Sequence, residues 1–277
     1  MKTGKLGMEK VAIGRLGNHL FQYNFLLQLA NYLSLEKFHP AFLGAELFEG
    51  LGKASFFKSH LPTKTVRYSK NDIESMPWET FIDSVYSLTA AGKNVVLPPG
   101  IMGNRFFDVT YLNPKDIIPL NSESKEISNT YREVEQVRIG IHFRGTDYSS
   151  WDSNAVMNSS YYLDALDYLS QQVDLNNADL RLITDDPEHQ TCREISKRWD
   201  LAHGSFRNPS SDFFNLSQCD YIISSPSSYV FWASAFGREK KMIYSKKWLE
   251  YKTGDGDIYW TKLRAGLSPF FKVYMEI

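Results

Sequence analysis

This chain of 277 residues has only two cysteines, Cys192 and Cys219. Two thiols make neither a disulfide framework nor a metal cluster, and they read as buried thiols in a reducing compartment. No stretch approaches the roughly 20 apolar residues that a membrane-spanning helix needs. The N-terminal segment has no apolar core of signal-peptide length. These two absences lead us to expect a cytoplasmic location, with peripheral membrane association left open. An excess of one charge is also missing: 31 Lys and Arg stand against 32 Asp and Glu, a net charge of −1, and there is no basic block. Broad nucleic-acid binding needs many cations against phosphates and is not expected, whereas a pocket for one anion needs only two or three. Repeats and low-complexity stretches are absent. What remains is globular: 43% of residues are apolar and 23% charged, and the length suits one large domain or two small ones.

The chain opens with an apolar run, Val11–Gly14, a turn, Gly14-Arg15-Leu16-Gly17-Asn18, and a long segment whose apolar residues recur at a helical period. Asn18 is a reasonable N-cap for that helix. Glycines in such a turn bring backbone N–H groups close to a ligand, and the helix start adds positive potential. A purely structural turn is the competing reading. The turn is not a Walker loop, and it lacks the three-glycine dinucleotide fingerprint. Residues 38–135 read as mixed short strands and helices, with loops at Ser69–Asp72, Leu97–Gly100 and Asn113–Pro119. The polar stretch Asn121–Gln136 reads as an exposed helix or linker and as the domain boundary. The expected division is a domain over 1–130, a second over 131–250, and a tail over 251–277 packing back on the first.

From Val137 onward, strands alternate with helices, which implies a parallel sheet covered on both faces. The expected strands are Val137–Phe143, Leu180–Thr184, Asp220–Ser224 and Lys241–Tyr244. Helices are expected over Ser159–Val173, from Pro187 through Arg198, over Asp212–Gln218, and up to about Phe236. Three of the strands end in polar clusters: His142, Arg144 and Asp147; then Asp185 and Asp186; then Ser224, Ser225, Ser227 and Ser228. In a parallel sheet those ends converge on one edge, where α/β folds bind ligands.

Each cluster has two readings. Arg144 fits a phosphate or carboxylate with its forked donors, or it pairs with Asp147. His142 donates to the same anion, or it is a satisfied core histidine. Asp185 and Asp186 accept from a nucleobase or ribose, bind a divalent ion, or favour a helix start. The serines hold phosphate, or one of them is an N-cap. Tyr229, Phe231 and Trp232 read as core, and Asp212 as an N-cap.

The order of these segments resembles the bacterial-type α-1,2-fucosyltransferases and, more distantly, the protein O-fucosyltransferases. The family opening Gly-Gly-Leu-Gly-Asn-Gln-x-Phe-Gln-Tyr is similar to Gly14-Arg15-Leu16-Gly17-Asn18-His19-Leu20-Phe21-Gln22-Tyr23. Its hallmark His-x-Arg-Arg-Gly-Asp-Tyr is similar to His142-Phe143-Arg144-Gly145-Thr146-Asp147-Tyr148. Its Phe-Ser-Asp-Asp is similar to Ile183-Thr184-Asp185-Asp186. Its Asp-x-x-Leu-Met-Ser-x-Cys is similar to the stretch from Asp212 to Leu216-Ser217-Gln218-Cys219. Its Ser-Asn-Ser-Ser-Phe-Ser-Trp-Trp is similar to Ser225-Pro226-Ser227-Ser228-Tyr229-Val230-Phe231-Trp232.

The resemblance implies an α/β GT-B glycosyltransferase, with two Rossmann-like domains facing an interdomain cleft. It implies inverting transfer of L-fucose from GDP-fucose to a glycan hydroxyl, such as the 2-OH of galactose, with no metal and no cofactor beyond the donor. The partners it implies are the nucleotide sugar and an oligosaccharide acceptor. Arg144, His142 and Asp147 would form the catalytic group. Gly14, Arg15, Gly17, Asn18, Asp185, Asp186, Ser227 and Ser228 would join His142 and Arg144 in holding the donor. Asp147 and His19 are the candidate bases, unless the acceptor proton leaves late. Two other readings are kept: the same fold with another nucleotide sugar, such as GDP-mannose or a different deoxysugar, and a non-catalytic nucleotide- or glycan-binding relative.

The departures are informative. Gly145 stands where the hallmark has its second arginine, and Arg15 stands where the α-1,2 enzymes have glycine. Arg15 is therefore expected to supply the missing cation. On that expectation Arg15→Ala weakens GDP binding about as much as Arg144→Ala does, and normal GDP affinity of Arg15→Ala in calorimetry would overturn it.

Overall fold

The computed structural model describes residues 4–9, 15–42, 44–51, 64–99, 118–130, 136–151, 155–203, 209–237, 241–244 and 272–276. The expected strand Val11–Gly14, Gly14 itself and most of the expected Asn113–Pro119 loop lie outside the described residues. The chain forms two compact units, 1–121 and 122–277.

The first unit has a parallel sheet of four short strands: β1 (Leu6–Met8), β2 (Lys37–Phe38), β3 (Thr65–Arg67) and β4 (Asn94–Leu97), in the order β2-β1-β4-β3. Its central helix is α1 (Leu16–Tyr32). Asn18 does not cap this helix. Arg15, in an extended conformation, holds the N-cap position, and Asn18 donates its backbone N–H to the Arg15 carbonyl at 3.0 Å. Tertiary packing sets the earlier start. Leu16 is buried against Gly44, which has a φ of 89° and where an added Cβ would lie 2.8 Å from Leu16 Cδ1.

Between Leu16 and Ala30 every residue of α1 except Asn18 is buried, so α1 is an interior helix rather than a one-faced one. It carries polar groups inward with it. Gln28 donates to Asn24 at 3.1 Å, while both ring nitrogens of His19 and the Oε1 of Gln22 have no hydrogen-bond partner among the described residues. The loop expected at Ser69–Asp72 is instead the start of α2 (Lys70–Ser75). Ser69 Oγ accepts from the Asp72 N–H at 3.1 Å, and the Ser69 N–H donates to Asp72 Oδ2 at 2.8 Å. This is a capping box with aspartate in place of the usual Glu or Gln. The helix α3 (Trp78–Ala90) then leads into β4.

The second unit begins with α4 (Ser122–Thr130). One side of this polar helix is buried, and Gln218 Nε2 donates to Ser128 Oγ at 2.9 Å. It is therefore part of the unit, not a bare linker. The strands are β5 (Arg138–Phe143), β6 (Asp179–Thr184), β7 (Ala202–His203), β8 (Tyr221–Ser224), β9 (Lys241–Tyr244) and β10 (Lys272–Glu276), all parallel, in the order β10-β9-β8-β5-β6-β7. Numbered 1 to 6 in chain order, they lie 3-2-1-4-5-6 across the sheet, the strand order of the dinucleotide-binding Rossmann fold. The tail 251–277 was expected against the first domain. Its described part, β10, instead extends the second sheet beside β9.

The helices are α5 (Thr146–Trp151), α6 (Ser159–Ser170), α7 (Gln190–Arg198), α8 (Pro209–Ser217) and α9 (Ser228–Phe236). The expected helix start at Pro187 comes three residues later, because His189 is the N-cap and accepts from the Thr191 N–H at 3.2 Å. Asp212 lies in the first turn of α8 rather than at its cap.

Side chains of β5 alternate between the two faces of the sheet. Ile139, Ile141 and Phe143 join the core formed with Tyr162, Leu166 and Leu169 of α6 and Cys192 and Ile195 of α7. Gly140 faces the other layer, where an added Cβ would meet Cys219 Sγ at 2.9 Å and Leu216 Cδ2 at 3.1 Å. His142, also on this side, stacks on Tyr229 of α9 with ring centroids 5.9 Å apart.

Burial lowers the pKa of His19 below 6.5. It does the same for His39, where nearby Lys37 adds to the effect and a hydrogen bond to the Pro40 carbonyl opposes it. A lowered folded-state pKa means that the unfolded chain takes up protons first as the pH falls below 6.5. Stability is therefore full above that value and is lost toward each folded pKa, by at most about 1.4 kcal/mol per pH unit for each ring. Urea midpoints should fall between pH 7.5 and 5.5, and fall less in His19→Gln. An equal drop in the variant would show that His19 does not contribute.

Candidate functional site

The strand order reverses direction between β5 and β8. After β5 the chain builds β6 and β7 on one side, and after β8 it builds β9 and β10 on the other. The crevice beyond the carboxyl ends of two such strands is where open α/β sheets bind ligands. The hallmark segment follows β5, and the serine cluster follows β8.

These two strand ends are clasped together. His142, 6% exposed, places Nδ1 2.6 Å from Ser225 Oγ. The His142 carbonyl accepts from the Ser225 N–H at 3.0 Å and from the Tyr162 hydroxyl at 3.0 Å. The Tyr161 hydroxyl donates to the carbonyls of Ser224, at 2.8 Å, and Ile243, at 3.1 Å. A buried donor or acceptor without a partner costs roughly 1–3 kcal/mol. These bonds let polar groups sit at the buried ends of β5 and β8.

Arg144 occupies the mouth of the crevice. Asp147 takes one edge of its guanidinium in a two-point pair, Nε to Oδ1 at 2.9 Å and Nη2 to Oδ2 at 2.5 Å. The other edge, Nη1 and the second hydrogen of Nη2, is turned toward the β8 loop, where Nη1 lies 3.5 Å from Ser227 Oγ. Burial by itself disfavours the Arg144 charge. The Asp147 hydrogen bonds, with charge contributions from Tyr148, Asp147 and Asp185, outweigh burial and raise its pKa above the ordinary arginine value. Arg144 is thus both paired with Asp147 and aimed at the crevice, and the two readings of it describe two edges of one group. Ser227, fully buried, is the N-cap of α9 and accepts from the Tyr229 N–H at 3.3 Å. Ser228 opens that helix and is half-buried. An arginine edge beside the start of a nine-residue helix makes a place for an anion.

The paired aspartates divide their work. The Asp185 carboxylate accepts from the Gly145 N–H at 3.0 Å and the Thr146 hydroxyl at 2.7 Å, so it holds the start of α5. The Asp186 N–H donates to Thr184 Oγ1 at 3.0 Å. Asp186 also accounts for Gly145. A Cβ there would lie 3.0 Å from Asp186 Oδ2, 3.1 Å from Asp186 Cβ and 2.9 Å from the Phe143 ring. A side chain here meets Asp186 and Phe143 at once, and one of them would have to shift to admit the second arginine of the resembling family.

The structure brings His142, Arg144, Asp147, Asp185, Asp186, Ser227 and Ser228 to one end of the second sheet. Arg15, Gly17 and Asn18 are at the start of α1 in the first unit. Tyr148 and Tyr229 belong to the same cluster of strand ends and were not picked from sequence as site residues. Each is an aromatic hydroxyl five positions past the end of a site strand, Phe143 or Ser224, and that shared offset was the available signal. Among the described residues no three His, Cys, Asp or Glu side chains converge as a metal site, and no helix is long and apolar enough to cross a membrane.

No family model and no curated protein matches this sequence. Solved structures do match. POFUT1 in complex with GDP aligns with a TM-score of 0.57 at 9% identity, over 88% of this chain and 98% of that one. FUT1 of Arabidopsis thaliana, as a mutant with GDP, gives 0.55 at 10% identity, over 88% and 70%. NodZ alpha-1,6-fucosyltransferase soaked with GDP-fucose gives 0.50 at 13% identity, over 84% and 93%. This chain has the GT-B fold of fucosyltransferases. The likeness reaches the fucosyltransferase fold and does not single out the α-1,2 type.

Gly145→Ala should push Asp186 or Phe143 aside, at the roughly 1–3 kcal/mol typical of overpacking. A lower melting temperature than wild type is expected. An unchanged melting temperature would show that the loop absorbs the methyl group without strain.

Proposed function

We propose that this protein is an inverting glycosyltransferase that moves L-fucose from GDP-fucose to a glycan hydroxyl, with the 2-OH of galactose as the first acceptor to test. It would act in the cytoplasm and need no cofactor beyond the donor. One observation carries the reading: the Arg144 edge and the N-terminus of α9 meet at the switch point of a Rossmann sheet. The support from likeness is that the matching fold belongs to fucosyltransferases, some of them solved with GDP or GDP-fucose.

Cleavage of the sugar–phosphate bond builds negative charge on the departing GDP. Fixed donors aimed at that charge stabilise the transition state without having to reorganise. In this chain the donors would be the Nη1 edge of Arg144, the Ser228 hydroxyl and the start of α9, with the buried Ser227 capping that helix beside Arg144. Asp147 holds Arg144 by its other edge and fixes the direction of the grip, which makes it a poor proton acceptor while so paired. His142 is tied to Ser225 through Nδ1. With these two groups engaged and the other candidate base, His19, buried in α1, the acceptor proton departs late, after the sugar–phosphate bond has largely broken. Asp185 supports the loop, and Asp186 is the better placed of the pair for a nucleoside contact. The absence of a second arginine at Gly145 favours one further reading, a relative that binds the nucleotide sugar without transferring it.

Thermal shift with GDP, UDP, ADP and CMP tests the donor. At 100 times its dissociation constant a ligand adds about 2.7 kcal/mol of stability, so GDP alone should raise the melting temperature clearly. A response only to UDP, or to none of the four, overturns the proposal. Incubation with GDP-fucose and galactosides should then yield a fucoside of inverted anomeric configuration. GDP binding without a fucoside would favour the binding-only reading.

A further inference from the structure

Resting on that reading, we infer that Tyr148 is a positioning residue: it fixes the plane of Arg144 and the width of the crevice that takes the diphosphate. Three observations converge on this side chain. The Tyr148 ring lies under the guanidinium, with Arg144 Cζ 4.7 Å from the ring centroid. The Tyr148 hydroxyl donates to the Pro226 carbonyl, in the loop after β8. Its own helix, α5, is fastened at its start to the end of β6 through Asp185. Tyr148 therefore ties the loop after β5 to the loop after β8, across the gap where the anion is expected, while its face supports the cation.

The arrangement restricts Arg144 on three sides. Asp147 takes one edge, Tyr148 one face, and Ser227 stands before the remaining edge. A lone arginine has high rotamer freedom, and immobilising it before binding removes that cost from the binding step. This matters more where the second arginine is absent, because Arg144 is then the one arginine of the segment His142–Tyr148 and must meet the diphosphate correctly oriented. Pro226 fits the same scheme. Its ring fixes φ near −65°, which restricts the backbone conformation around the carbonyl that Tyr148 grips. The departure from the family's asparagine at this position thus stiffens the far wall of the crevice.

The two functions of Tyr148 separate by mutation. Tyr148→Phe keeps the ring and loses the bridge to Pro226, while Tyr148→Leu loses both. Calorimetry on the full chain with GDP and with guanosine, alongside melting temperatures, tests the inference. One hydrogen bond and one cation–π contact contribute about 1 kcal/mol each. Loss of GDP affinity should be about fivefold in Tyr148→Phe and on the order of thirtyfold in Tyr148→Leu. Guanosine, which has no phosphate, should bind both variants within about twofold of wild type. The inference is overturned if both variants bind GDP as wild type does, or if GDP and guanosine weaken in parallel with a falling melting temperature. If folded wild-type protein binds no GDP, the donor assignment fails and this inference falls with it; GDP binding by wild type with unaffected variants sinks only the inference.

Discussion

Parallel pairing of β5 with β8 is the constraint on which the second unit depends. Ile139 aligns with Tyr221 and His142 with Ser224, so the two strands end within one residue of each other. From there the chain leaves on opposite sides, which puts a crevice beyond the two ends with no helix crossing it. Everything polar in the site hangs on that register. A slip of one residue in β5 would turn Ile139, Ile141 and Phe143 out of the core with α6 and α7. It would also drive side chains into the space that Gly140 leaves for Cys219 and Leu216. The apolar core on one face and the close helix on the other therefore fix where His142 and Arg144 emerge.

The charges at that edge are arranged rather than merely clustered. Asp147 and Asp185 both act on Arg144, and Asp186 lies beside Gly145, a balance that would repel an anion if all were equally available. They are not. Asp147 is paired with Arg144, and Asp185 is bound to Gly145 and Thr146 at the start of α5. Such pairing lets one guanidinium edge present its charge outward. Asp186 also packs next to Gly145, where the hallmark's second arginine would stand.

Much of the second unit was legible in the sequence because its signals are local. Strands such as Leu180–Thr184 and Lys241–Tyr244 are short apolar runs bounded by polar clusters, and a buried parallel strand needs little else. Ser227 was readable as a cap for the same reason. The errors fall where tertiary contacts decide. Asn18 has the chemistry of a cap, but Leu16 packs on Gly44 and starts the helix earlier. Ser69–Asp72 reads as a loop because its residues favour turns, yet its two side chains close a capping box. The contribution of β10 to the second sheet rests on pairing with a strand 28 residues earlier in the chain, which no local pattern reports.

The sequence by itself determined the alternation of strands and helices, the residue types at the strand ends and the order of motifs, because periodicity and turn chemistry are written residue by residue. The tertiary structure decided which edge of Arg144 is committed and which faces the crevice. It gave Asp185 to the loop, packed Asp186 and Phe143 close about Gly145, and joined Tyr148 to Pro226 across 78 positions of sequence. Those are relations between groups far apart in the chain. They exist only once the core has set strand register and brought the groups within hydrogen-bond distance.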